Sequence, residues 1–305
     1  MSEAPRTPDQ QAFEENANRI RGHFSYFGRN ANFQIDRMAP GEAWTRLPYQ
    51  PVFVGYVDTG VLHGGIVTTL LDETCGIAVQ LALEGLTPIA TLDLRIDYQR
   101  PSTPGKELCA HAHCYSVTRS IAFVRATAYH EGEDAPVATA TGCFMINANR
   151  SDKSTADVSA YKETVLLDAP EDETGTFANS PFSRCLGIRP VAPNTVMMPF
   201  SKRIIGNIYL PAIHGGLIGA FLETAAIYRM RQDMDVANLP RPIGLTINYL
   251  RSGRAVDSYA SVSIVKHGRR IVAFEAKAWQ DDPARPIASA YGHFMVRQSP
   301  QPEND

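Results

Sequence analysis

Two segments of the chain place a carboxylate behind a pair of glycines at one spacing. His63-Gly64-Gly65 is followed by Asp72, and His214-Gly215-Gly216 by Glu223. In both, the acid lies nine residues after the histidine and seven after the second glycine. Seven residues are two turns of α-helix, so acid and glycines share a face. The glycines let the backbone turn sharply and leave the first helical N–H groups uncovered. Those donors, with the positive end of the helix dipole, suit a carbonyl oxygen that gains negative charge. A carboxylate on an otherwise apolar helix is costly unless it is paired, hydrogen-bonded or set in a cleft. The chemistry that fits is attack on a carbonyl, with Asp72 or Glu223 as base or nucleophile and a glycine N–H as oxyanion donor. The bland reading of Asp72 is a buried carboxylate tied to backbone donors. His63 and His214 read as helix-start residues, Glu73 as a solvated or salt-bridged neighbour, and Cys75 as a small packing residue.

These segments belong to a long repeat. At the same 151-residue offset, Leu94-Arg95-Ile96-Asp97-Tyr98 falls on Leu245-Thr246-Ile247-Asn248-Tyr249. From Thr118 to Ile146 the match to Gly268–Val296 runs without a gap, with ten identities in 29 positions. Chance would give about two at ordinary residue usage. A period this long is a duplicated domain rather than a solenoid. After each His-Gly-Gly a helix is expected, over 66–85 and 217–234, apolar around most of its circumference and therefore buried. Four strands follow in each copy: 89–99, 107–117, 122–130 and 137–147, then 243–250, 258–266, 271–280 and 287–297. The class is α+β, a long helix with an antiparallel sheet wrapped round it, twice. The expected domains are 13–148 and 177–298, joined by a polar, acidic linker at 149–176 with an apolar island at Val165–Leu167. Residues 1–12 and 298–305 are expected to be loose ends.

Composition narrows the function classes. The 305 residues are 44% apolar and 20% charged, which excludes a disordered chain and a coiled coil. No apolar run is long enough to span a bilayer, and the polar, acidic opening segment is no secretory signal. A net charge of −3 gives no reason to expect nucleic acid as a partner. Five cysteines without a C-x-x-C pair argue against disulfides and zinc and for a reducing cytoplasm. There is no Gly-rich dinucleotide loop, so neither a metal nor a redox cofactor is expected.

The segments HGGIVTTLLDE with TLDLRIDYQRPSTPG, and HGGLIGAFLET with GLTINYLRSG and KHGRRIVAFEAKAW, resemble the hotdog-fold acyl-CoA thioesterases of the phenylacetate-degradation (PaaI) type. The resemblance covers roughly 45–147 and 195–297. It implies two hotdog units in one chain, paired edge to edge as an internal pseudo-dimer, with active sites at the pairing interface. It further implies that the helix acid of one unit works with the glycine loop of the other, on an acyl-CoA whose CoA moiety enters as part of the substrate. Site one would then join Asp72 and Thr91, the latter holding water, to His214, Gly215 and Gly216. Asn207 would supply an upstream amide, although it lies seven residues before the histidine where the family's spacing is usually six. Site two would join Glu223 to His63, Gly64 and Gly65, but Pro242 matches Thr91 and Val57 stands where the amide is expected. Arg119, Arg269, Arg270 and Lys266 are the expected contacts to the CoA phosphates. A homodimer of the fused chain is the expected assembly. The rivals are a non-catalytic acyl-CoA binder or scaffold and a hotdog dehydratase. The dehydratase ranks below because neither helix shows the Asp and His pair that chemistry uses.

Overall fold

The computed structural model describes residues 8–21, 24–83, 85–146, 165–171, 176–177, 179–207, 211–233 and 240–296. Two long helices dominate it, α3 (Gly64–Leu81) and α5 (Gly215–Asp233). Each meets its own set of strands, and the two helices pack on each other. The first half contributes β1 (Gln34–Ala39), β2 (Glu42–Leu47), β3 (Ile89–Tyr98), β4 (Leu108–Val117), β5 (Ile121–Tyr129) and β6 (Ala138–Ile146). The second contributes β7 (Arg189–Ala192), β8 (Thr195–Met198), β11 (Arg241–Tyr249), β12 (Ser258–His267), β13 (Ile271–Trp279) and β14 (Ala288–Met295). A separate hairpin, β9 (Ile205–Asn207) with β10 (Ala212–Ile213), leads into α5.

All twelve main strands form one antiparallel sheet in the order β1-β2-β4-β5-β6-β3-β11-β14-β13-β12-β8-β7. The seam is β3 against β11, and it pairs the repeated motif with itself. Leu94 lies opposite Ile247 and Ile96 opposite Leu245, all four buried. Each residue therefore meets the repeat's counterpart of its neighbour two along, as a two-fold relation requires. This is the hotdog architecture in tandem, one central helix per unit against a shared large sheet.

The eight expected strands are present, with ends within two residues of expectation. Helix α3 stops at Leu81 rather than running to 85. The Gln80 side chain bonds the Thr87 backbone at both its N–H and its carbonyl, which folds the chain back. Residues from Pro8, expected to be loose, begin helix α1 (Pro8–Arg21). Ala17 and Ile20 are buried in the core, and Asn16 Nδ2 donates to the Gln80 and Leu83 carbonyls at the end of α3. Of the expected linker, 149–164 and 172–175 lie outside the described residues, as do 298–305. In its apolar island Leu167 is buried, while the Val165 N–H donates to Asn30 Oδ1.

Two short helices extend the duplication upstream, α2 (Tyr26–Asn30) and α4 (Pro181–Cys185). Ser25 precedes one and Ser180 the other, and Phe27 matches Phe182 at an offset of 155. Each short helix crosses to the other unit. Helix α2 packs beside β9, and the Phe182 N–H of α4 donates to the Val54 carbonyl.

Candidate active site

Each His-Gly-Gly is delivered by a tight reversal of the chain. The His63 N–H donates to the Phe53 carbonyl and the His214 N–H to the Ile204 carbonyl, both at 2.9 Å. Gly55 and Gly206 sit at the crossing. A Cβ on either would lie 3.1 or 2.7 Å from the histidine Cα. Each histidine then caps its own helix, with Nδ1 accepting the N–H of Gly65 at 2.9 Å or of Gly216 at 3.0 Å.

The helix starts are buried against the middle of the opposite helix, and this brings the acids to the glycines. A Cβ on Gly215 would lie 2.9 Å from Asp72 Oδ2, and one on Gly216 would lie 2.5 Å from the Thr69 Cα. Only glycine permits this approach.

At site one the Gly216 N–H donates to Asp72 Oδ2 at 2.7 Å, and Thr91 Oγ1 donates to Oδ1 at 3.0 Å. His214 Nε2 lies 2.7 Å from Glu73 Oε2, and Glu73 Oε1 accepts the Ser25 N–H at 3.0 Å. The Phe27 ring packs edge-on against His214 at 6.3 Å. Tyr249 Oη donates to the Gly215 carbonyl at 2.9 Å. Asp72 is 6% exposed. Burial pushes its pKa above the usual carboxylate range, against the opposing pull of His214, Thr91 and Gly216. Burial also works against charge on Glu73 and His214, but their mutual hydrogen bond and attraction outweigh it. Glu73 is held below its usual pKa and His214 above.

Site two has the same outline and different chemistry. Glu223 Oε2 accepts the Tyr98 hydroxyl at 3.0 Å, while Oε1 has no hydrogen-bond partner among the described residues. His63 Nδ1 is 3.6 Å from Oε1. Thr224 stands where site one has Glu73, its hydroxyl 3.5 Å from His63 Nε2, with no carboxylate on that nitrogen among the described residues. With burial dominant, the Glu223 pKa is pushed up to about 8 and that of His63 down to about 4. Burial therefore favours the uncharged form of both.

The sequence carries two matching family profiles, that of the thioesterase superfamily over 59–137 and that of the acyl-CoA thioesterase N-terminal domain over 208–295. Each covers one His-Gly-Gly and its acid. The chain belongs to the hotdog thioesterase superfamily. Its enzyme class is thioester hydrolase. It is 26% identical over 133 residues to the medium/long-chain acyl-CoA thioesterase YigI of Escherichia coli K12, which is 39% of this chain and 84% of that protein. YigI of Salmonella typhimurium LT2 matches to the same extent. A solved structure from Novosphingobium aromaticivorans covers 86% of this chain and 98% of its own at a TM-score of 0.60 and 11% identity, a likeness of fold.

The tandem hotdog brings together most, but not all, of the residues singled out from the sequence. Asp72, Thr91, His214, Gly215 and Gly216 meet at site one, and Glu223, His63, Gly64 and Gly65 at site two. The side chain of Asn207 lies outside the described residues. Arg119, Arg269 and Arg270 are exposed at the β4–β5 and β12–β13 turns and Lys266 at the end of β12, and among the described residues none bonds a residue of either site. The charged turn tips point to solvent, where cations cost least. Among the described residues no group of three or more His, Cys, Asp and Glu side chains could hold a metal ion, and no helix is long and apolar enough to cross a membrane.

Of the two alternatives for Glu73, the structure shows the salt bridge, and it is buried. Tyr98 and Tyr249 are matched positions of the repeat that the strand pattern alone does not mark as site residues. Gly55 and Gly206, each eight residues before its histidine, carried the signal for the chain crossing.

Proposed function

We propose that this chain hydrolyses acyl-CoA thioesters to free acid and CoA, with site one as the working centre. The observation that carries the proposal is the 2.7 Å contact of Asp72 Oδ2 with the Gly216 N–H across the two units. It sets a carboxylate of raised pKa beside the one backbone donor that a thioester carbonyl would need. An incoming carbonyl oxygen takes that N–H from Asp72. The carboxylate then loses one of the bonds that held its pKa down and becomes a stronger base. It accepts a proton from a water held with Thr91 Oγ1 while the water oxygen bonds the carbonyl carbon. The carbonyl π pair moves to oxygen, where the Gly216 N–H and the positive end of α5 stabilise it. Collapse re-forms the C=O bond and breaks the C–S bond. The sulfur leaves with that electron pair and takes the proton from Asp72.

Site two is slow on this reading, because burial disfavours the Glu223 carboxylate and Pro242 has no hydroxyl. Neither a metal nor a redox cofactor has a step in this chemistry. A cytoplasmic homodimer of the fused chain is the setting we assign, and sedimentation tests the assembly.

Thiol release from short, medium, long and aromatic acyl-CoAs tests the proposal; YigI's name makes medium and long chains the first choice. Asp72→Asn is expected to lower kcat by about 10²–10⁴-fold, the usual worth of a general base. Glu223→Gln is expected to keep more than half. The reverse pattern would move the chemistry to site two. Absence of turnover by the wild type on every ester would favour the acyl-CoA binder.

A further inference from the structure

The two sites carry the same cap geometry, yet their histidines have different partners, and this difference is an internal control. At site one Glu73 takes His214 Nε2 at 2.7 Å and is itself held by the Ser25 N–H at 3.0 Å. At site two Thr224 cannot reach in this way, and a small cavity of about 10 Å³ lies beside Thr224 and His63, lined also by Ser180 and Ser183. We infer that Glu73 is a positioning residue of site one, which fixes the ring of His214 and through it the aim of the Gly216 N–H. The inference rests on the reading of site one as the hydrolytic centre.

The bonds show how the positioning works. A hydrogen on Nε2 directed at Glu73 leaves Nδ1 free to accept the Gly216 N–H at 3.0 Å. That N–H is thereby pinned between His214 Nδ1 and Asp72 Oδ2, the place where an oxyanion has to form. The Phe27 ring closes the other side of the imidazole, and Phe27, Ser25 and Glu73 all come from the first unit, opposite the unit of His214. Ring rotation is blocked by packing, and tautomer choice is set by one carboxylate. Without it His214 resembles His63, a buried imidazole with a 3.5 Å contact to a threonine hydroxyl.

Charge gives a second consequence. The groups that face Asp72 are His214, Glu73, Tyr249 and Cys75, with Thr91 and the Gly216 N–H as its donors. His214 is the strongest of these in favouring the Asp72 carboxylate, and Glu73 is a weaker opponent. Removing the charge of Glu73 weakens the proton affinity of His214.

The experiment is steady-state thiol release by the full chain, wild type beside Glu73→Gln, Glu73→Thr and Asp72→Asn, with kcat followed from pH 5 to 9. The His214 imidazole is titrated by NMR in the wild type and Glu73→Gln. Both Glu73 variants are expected to lower kcat by about 10–100-fold, the worth of a hydrogen bond to a charged group. KM should stay within about threefold, because the donor acts mainly on the transition state. In Glu73→Gln the His214 midpoint should fall. A merely structural glutamate would leave it in place. Wild-type kcat in Glu73→Gln across the pH range, with Asp72→Asn inactive, would overturn the inference while leaving the hydrolytic reading intact. An inactive wild type would overturn both. The NMR titration needs no turnover, so an unmoved His214 midpoint overturns the inference on its own.

Discussion

Gly215→Ala is the substitution that separates the chemistry from the fold. The new methyl would lie 2.9 Å from Asp72 Oδ2 and 3.5 Å from the Tyr249 ring. Ordinary contact starts near 3.4 Å, so the carboxylate oxygen has to retreat by about half an ångström. Its retreat breaks the 2.7 Å bond to the Gly216 N–H and misplaces the base relative to the oxyanion donor. The bond itself is given up when substrate binds, so the cost in turnover is that of a displaced base, on the order of 10–100-fold in kcat. Stability should change little, since a flexible side-chain end yields and alanine is the better helix former by up to about 1 kcal/mol. Gly216→Ala is the contrast. Its methyl would meet the Thr69 Cα at 2.5 Å, where backbone has to move, so it should cost about 1–3 kcal/mol of stability as well as activity. Gly64→Ala is the mirror change at site two. Its methyl would lie 2.4 Å from Glu223 Oε1, a closer approach than at site one, yet it should cost less turnover than Gly215→Ala. Thiol release gives kcat and thermal melting gives stability for all three. A Gly215→Ala enzyme within twofold of wild type, or a Gly64→Ala enzyme slower than Gly215→Ala, would refute the reasoning.

Thr91→Val removes the 3.0 Å donor to Asp72 Oδ1 and should lower kcat/KM about tenfold and move its acidic limb to higher pH. Unchanged rates would show that the hydroxyl holds neither the acid nor water. Because the Glu223 pKa is raised to about 8, the native state binds an extra proton between the ordinary glutamate range and pH 8, and the stability this confers is lost as pH rises through that window. The melting temperature of wild type relative to Glu223→Gln should therefore fall from pH 5 to pH 9, by an amount equivalent to on the order of 3–5 kcal/mol; a constant difference would show that Glu223 titrates normally.

Much of the site was legible because its parts recur at a fixed offset. The two His-Gly-Gly segments, their acids and eight strands all follow from repeat and periodicity. The short helices α2 and α4 were not legible. Five residues carry no periodic signal, and their offset of 155 differs from the 151 of the glycine loops. Strands β7 and β8 have four residues each, and β1 and β2 have six, too few for alternation to stand out. For Glu73 the sequence carries the salt bridge as one alternative but neither its partner nor its burial. A residue next to Asp72 on one helix points about 100° away from it, which suggests a solvent face. Here that direction leads to His214 of the other unit and to the Ser25 N–H, partners that only the pseudo-dimer supplies. The arginines were legible as cations at the strand turns, and the structure exposes them there, apart from the buried carboxylates.

The asymmetry of the two sites shows which parts of the repeated motif report on chemistry. Asp72, Glu73 and Thr91 all come from the first unit and converge on site one. Their counterparts Glu223, Thr224 and Pro242 give site two an acid without the charged neighbour, whose hydroxyl donor is Tyr98 in place of a threonine. The histidines and glycines, in contrast, are the same in both. Packing alone accounts for the shared glycines. A Cβ on Gly65 would lie 2.4 Å from the Ala220 Cβ, just as one on Gly216 would strike Thr69, so either helix start needs glycine whether or not the site works. The histidine caps serve the helices in the same way, through bonds of 2.9 and 3.0 Å. His-Gly-Gly is thus a requirement of two helices that meet end against middle. The acid's neighbours are under no such constraint, since Thr224 and Pro242 fold as well as Glu73 and Thr91. Their identity, more than the presence of the glycine motif, distinguishes a carboxylate poised as a base from one held neutral by burial.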